Sequence, residues 1–147
     1  MKKTKKEAEP RYALSLTRKQ LQLLSVACER MSRNLCGQLD MGVFYELGRA
    51  INRHHEGEER MDLLSEVRQT LDVLRTRCWN LDSRQFYGIH YDKDSDILFD
   101  IHQVLRHQLW LEDPNRSNAV VMSSVHKFAS EPLVTIRKED NDGTADL

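Results

Sequence analysis

Residues 96–110 constrain the fold most, because one helical periodicity leaves this stretch with two unlike faces. Ile97, Leu98, Ile101, Val104, Leu105 and Leu109 fall at the spacing of a buried stripe. At roughly 100° per residue the opposite pole carries Phe99, Gln103, Arg106 and Trp110, with His107 beside them, where a solvated helix would show Lys and Glu. Rings around a guanidinium need a partner. Three are open: a second layer of core, another copy of the chain, or a ligand or partner protein.

The remaining pattern is also helical. Thr17 offers an N-cap hydroxyl to a helix over Arg18–Leu35, with Leu21, Leu24, Cys28, Met31 and Leu35 as its stripe and Gly37 as its stop. Asp40 is placed to cap a second helix whose apolar side is Val43, Phe44, Leu47, Ala50 and Ile51, and whose last turn carries His54 and His55 at the negative dipole end. A third helix is predicted over about 58–78, where Leu64, Val67, Leu71, Leu74 and Cys78 form a seam. Residues 80–91 read as a structured loop, and Pro114 stops the fourth helix. Residues 115–130 are polar and long for a loop, which marks them as functional or mobile.

Residues 12–16 alternate, and residues 132–137 are the other strand-like run, so the two are expected to pair antiparallel. The expected fold is mainly α, a bundle of about four helices with a short two-stranded antiparallel ribbon joining the N- and C-terminal segments. Residues 1–10 form a basic flexible tail, 11–137 a single helical domain and 138–147 an acidic flexible tail.

Composition removes several function classes. A net charge of -1 argues against the broad basic field of a non-specific nucleic-acid binder. No apolar run approaches the roughly 18 residues of a membrane span and no apolar segment follows the opening lysines, so a cytoplasmic location is expected. Cys28, Cys36 and Cys78 are expected reduced, with Cys28 and Cys78 as small core residues on their helical stripes. Asp92, Asp94 and Asp96 resemble the start of a calcium loop, but Ile97 stands where glycine is needed and Gln103 where glutamate is. A helix N-cap is therefore the expected role. His102 and His107 lack metal-ligand spacing, and neither a phosphate loop nor a nucleophile motif is present, so no metal, cofactor or catalytic residue is assigned.

The surviving constellation is aromatic and basic. Tyr87, His90 and Tyr91 in the loop, with Phe86 beside them, join Phe99, Gln103, Arg106, His107 and Trp110 as the candidate ligand- or partner-binding residues. At residues 87–91 and 100–110, and in Leu14-Ser15-Leu16-Thr17, Gln20-Leu21 and Ser130-Glu131-Pro132-Leu133, the chain resembles a loose group of small accessory proteins encoded by tailed bacteriophages. The resemblance implies a cytoplasmic protein made during infection that binds rather than catalyses. The expectation is thus a non-enzymatic protein that binds a host protein or sequesters a small anionic, nucleotide-like ligand, with counter-defence as one purpose, and that forms a homo-oligomer. The alternatives are an enzyme acting on a nucleotide or nucleic acid through a His/Asp site, and a self-assembling protein without a ligand.

Overall fold

The computed structural model describes residues 10–82, 85–116, 118 and 120–138. Apart from residues 10 and 138, both predicted tails lie outside the described residues. The elements in order are α1 (Arg18–Leu35), α2 (Val43–His54), α3 (Gly57–Trp79), α4 (Lys93–Leu111) and a single turn, α5 (Val120–Ser123). α1 packs on α4, α2 packs on α3, and α5 rests against α4.

α1 begins where its sequence says it should. Thr17 is extended, its hydroxyl accepts the Gln20 N–H at 3.2 Å, and the Gln20 side chain accepts the Thr17 N–H at 2.8 Å. This reciprocal cap satisfies two otherwise orphaned donors and stabilises the helix by about 1 kcal/mol. Gly37, with φ +75°, ends the helix in a conformation that L side chains rarely adopt.

The cap of α2 departs from expectation. Asp40 does not serve; the N-cap is Gly42, and the Val43 N–H donates 3.0 Å to the side-chain oxygen of Asn34, reaching across from α1. Turn bonds from Met41 to Gln38 and from Phe44 to Leu39 occupy the intervening chain, which moves the helix start past Asp40. A Cβ on Gly42 would occupy the place of the Asn34 side-chain amide, so it could be admitted only by moving Asn34 off this bond.

α1 and α4 run antiparallel. Arg18 and Glu112 form an ion pair at 3.1 Å at one end, and the Ser32 and Ser95 hydroxyls lie 2.9 Å apart at the other. Between them, His102 Nδ1 lies 3.0 Å from the Ser25 carbonyl. The face of α1 that enters this seam is Ser25, Cys28 and Ser32 rather than the predicted leucine stripe; Leu24 and Met31 are exposed. Small side chains let the two backbones approach, and cross-helix bonds satisfy their hydroxyls, so the buried face is turned roughly 60° from the apolar one.

The same inversion holds on α4. Of the predicted core face only Leu105 is buried, while Ser95, Asp96, Asp100, His102 and Gln103 are buried polar residues. α3 buries Leu71 and leaves Leu74 and Cys78 exposed, so Cys78 is not a core residue; Cys28 is, and Cys36 is buried too.

No strand is present among the described residues, so the predicted ribbon is absent. Tyr12 and Leu14 are exposed, and the two segments meet through a side chain, with the Arg11 guanidinium donating to the Leu133 carbonyl at 3.4 Å. Residues 131–134 lie instead along α4, where they line a small cavity with Ile97, Asp100 and Ile101, and an isolated two-stranded ribbon is only marginally stable in water.

Candidate binding site

The chain between α3 and α4 folds back onto the end of α1. Asn80 closes α3 in a left-handed conformation at φ 54°. The Tyr87 N–H then donates to the Cys36 carbonyl at 2.9 Å, and the Tyr87 hydroxyl donates to the Trp79 carbonyl at 3.0 Å. Tyr91 stacks on Tyr87 with ring centres 3.7 Å apart. His90 is also left-handed, at φ 70°, a conformation costing about 1 kcal/mol or more in an L residue. Buried Asp96 offsets that cost: it accepts the His90 N–H at 3.0 Å and lies 3.1 Å from His90 Nδ1.

A pocket of about 160 Å³ opens beside this loop, lined by residues 86–89, by Ser32, Arg33, Cys36 and Gln38, and by Ser95, Asp96 and Phe99 of α4. Phe86 and Ile89 are half-exposed, at 53% and 50%. Each polar side chain of its lining already has at least one partner. Ser95 Oγ donates to the Ser32 carbonyl at 3.0 Å and stands 2.9 Å from Ser32 Oγ and 3.0 Å from Cys36 Sγ. Arg33 donates through Nε and Nη2 to Glu29 at 3.0 and 2.8 Å and through Nη1 to Gln38 at 2.7 Å. What the pocket offers a guest is aromatic and aliphatic wall.

Of the residues singled out from sequence, Tyr87, His90, Tyr91 and Phe99 come together around this loop and pocket. The others lie further along α4, where Gln103 and His107 hold the C-terminal segment. Gln103, only 3% exposed, donates to the His126 carbonyl at 2.8 Å and accepts the His126 N–H at 3.1 Å. His107 Nδ1 donates to the Met122 carbonyl at 2.9 Å, and its ring stacks on Trp110, over which the Arg116 guanidinium sits at 5.2 Å. Phe99 joins the two groups, with ring centres 5.7 Å from His102 and 6.0 Å from Phe128.

Arg106 belongs to a charged cluster with Glu29, Arg33 and His102 in the α1–α4 seam. Burial lowers its pKa, with Glu29 opposing that shift. Burial likewise pushes the His102 imidazole below its ordinary value, against Glu29 and the Ser25 carbonyl, which favour the proton.

Sequence reasoning missed Asp100. This 4% exposed carboxylate accepts the Phe128 N–H at 2.9 Å and the Ala129 N–H at 2.9 Å. It also missed Ser95 and Cys36, although a row of small residues at Ser25, Cys28 and Ser32 signals a close helix approach. Asp92 is the N-cap of α4, accepting the Ser95 N–H at 2.7 Å, as its spacing predicts. Among the described residues no group of three His, Cys, Asp or Glu side chains is placed to hold a metal ion. No helix of the described residues is long and apolar enough to cross a membrane. Compared with known proteins, the chain matches no protein family, no curated protein and no solved structure.

Proposed function

We propose that the chain is a non-enzymatic accessory protein of the tailed-phage type it resembles, and that it binds a host protein by taking one of that protein's apolar side chains into the pocket beside residues 86–89. The single observation behind this reading is the pocket itself: about 160 Å³, with Phe86 and Ile89 half-exposed at its lining. Pockets that enclose nucleotide-sized ligands run from about 300 Å³ upward. An apolar cavity of about 150 Å³ takes a benzene ring. The volume therefore favours a single side chain over a sequestered nucleotide. Charge supports the same choice, because Arg33, the cation of the lining, is committed to Glu29 and Gln38.

Affinity capture from bacterial lysate tests this. Wild-type protein is expected to retain one protein at near-stoichiometric level, and Ile89→Asp is expected to lose it while the helical circular-dichroism signal stays unchanged. Undiminished capture by Ile89→Asp, or saturable nucleotide binding by the wild type, overturns the reading.

A second reading, chemistry through a His and an Asp, has one observation in its favour. Asp96, with its side chain 10% exposed, orients a His90 side chain that is 69% exposed, the arrangement used to aim a general base. No hydroxyl or thiol of the described residues is hydrogen-bonded to His90. Metal-dependent or metal-free turnover that His90→Ala abolishes would favour this second reading.

A further inference from the structure

The α2–α3 hairpin leaves one broad face apolar and open. Its two helices meet through Gly48 and Leu64, where a Cβ on Gly48 would sit 3.6 Å from Leu64, and through Arg68, whose guanidinium lies 4.8 Å over the Phe44 ring. At about 100° per residue, Leu63, Val67, Leu74 and Cys78 form a second row on α3, roughly a quarter-turn from that contact. Val43, Leu47 and Ala50 form a matching row on α2. Because the helices are joined by residues 55–56 alone and run antiparallel, both rows emerge on the same side of the hairpin. Leu47, Ala50, Leu74 and Cys78 are exposed, and Val43, Leu63 and Val67 are half-buried.

The charge pattern identifies what covers this face. The first half of α3 carries Glu58, Glu59, Asp62 and Glu66 against Arg60; the second half carries Arg68, Arg75 and Arg77 against Asp72. Glu59 and Glu66 flank one end of the apolar row, where Arg60 lies on the row itself and Glu59 is 3.3 Å from His55 Nδ1, and Arg77 flanks the other end on the same side as Glu59. A helix polarised in this way repels a parallel copy and matches an antiparallel one.

We propose that the chain forms a homodimer face to face through the hairpin, with the two α3 helices antiparallel and the twofold axis passing between residues 68 and 69. In that register Leu63 meets the partner's Leu74, Val67 meets the partner's Thr70, and Glu59 lies beside the partner's Arg77. The contact is isologous and closes on itself. α3 is about 34 Å long, and because Phe44 sits by Arg68 the twofold passes α2 near Val43, so α3 supplies most of a face on the order of 400–500 Å² per protomer, the size of a weak, concentration-dependent contact. The pocket beside residues 86–89 is not part of this face, so the proposal stands apart from the reading of that pocket.

Light scattering on the full chain, from low to high micromolar, tests the dimer. The wild type is expected to move from one to two chains across that range, and Leu74→Glu, at an exposed position, is expected to remain one chain with its helical signal intact. Arg77→Glu is expected to weaken the dimer several-fold, and Glu59→Arg added to it to restore the wild-type constant. If Leu74→Glu does not fold, the charge-reversal pair decides alone. A wild type that stays monomeric at high micromolar overturns the proposal. So does a dimer untouched by Leu74→Glu, or a double reversal no better than the single.

Discussion

Asp100→Ala removes the acceptor that pins the C-terminal segment to α4. In the folded protein one carboxylate, 4% exposed, receives the N–H of Phe128 at 2.9 Å and that of Ala129 at 2.9 Å, with a second contact to Phe128 at 3.2 Å. A hydrogen bond to a charged acceptor contributes about 1.5–3 kcal/mol net, so two of them set an upper limit near 6 kcal/mol. Two effects reduce it. The amides are on a half-buried segment and rehydrate once it lifts, and removing a buried carboxylate recovers part of its desolvation cost. We expect a loss of about 2–3 kcal/mol, and about half that for Asp100→Asn, which keeps one oxygen.

The loss has a ceiling, because the segment can detach before the helices unfold. Beyond its docking energy, further destabilisation appears as local opening rather than as a lower midpoint. Urea denaturation followed by circular dichroism reads the first quantity, and amide hydrogen exchange at Phe128 and Ala129 reads the second. A change under about 0.5 kcal/mol, with protection at both amides undiminished, would refute the clamp.

At low micromolar concentration, where the chain is a monomer, thiol reagents are expected to modify Cys78 rapidly and Cys28 only on unfolding, because Cys78 is exposed while burial raises the Cys28 pKa; mass spectrometry of partially labelled protein orders them. The native state favours the neutral His102 ring, so the unfolded chain takes up its proton first. Stability is therefore expected to be full above the ordinary value of 6.5 and to fall as pH drops from there toward the lowered native value, and His102→Asn should flatten urea midpoints across that window. Gly42→Ala is expected to cost about 0.5–2 kcal/mol by displacing Asn34 from its cap on Val43; Asn34→Ala should add little on top, and fully additive losses in thermal melts would count against a shared cap.

The helices were legible because their start and stop signals are local. Thr17 with Gln20, Gly37 and Asp92 each act within a few residues, and the helices they bound lie where the spacing predicts them. What faces what was not legible. Apolar periodicity assumes that the buried side is the greasy side, whereas the α1–α4 seam is built from serines, a cysteine and a histidine that bond across it. The candidate site divided for the same reason. Gln103 and His107 are polar on a face that periodicity assigns to solvent or ligand, and their partners, the His126 backbone and the Met122 carbonyl, are distant in sequence. Asp40 failed as a cap because the competing acceptor, Asn34, is supplied by another helix. The strand pair failed because alternation over five residues does not say what a segment packs on, and residues 131–134 line up with Ile97 and Ile101 of α4 rather than with the N-terminal segment.

Asp100, Gln103 and His107 hold residues 122–129 by main-chain atoms, which every amino acid possesses. The helix thus carries the address and the segment merely answers to it. Substitution along residues 122–129 should be widely tolerated except where proline would delete the N–H of residue 126, 128 or 129, or where Phe128 loses its ring contacts with Phe99 and His90. Chains that share this architecture are therefore to be sought by an Asp-x-x-Gln-x-x-x-His pattern on a helix, and an alignment scored on the C-terminal segment would pass them by.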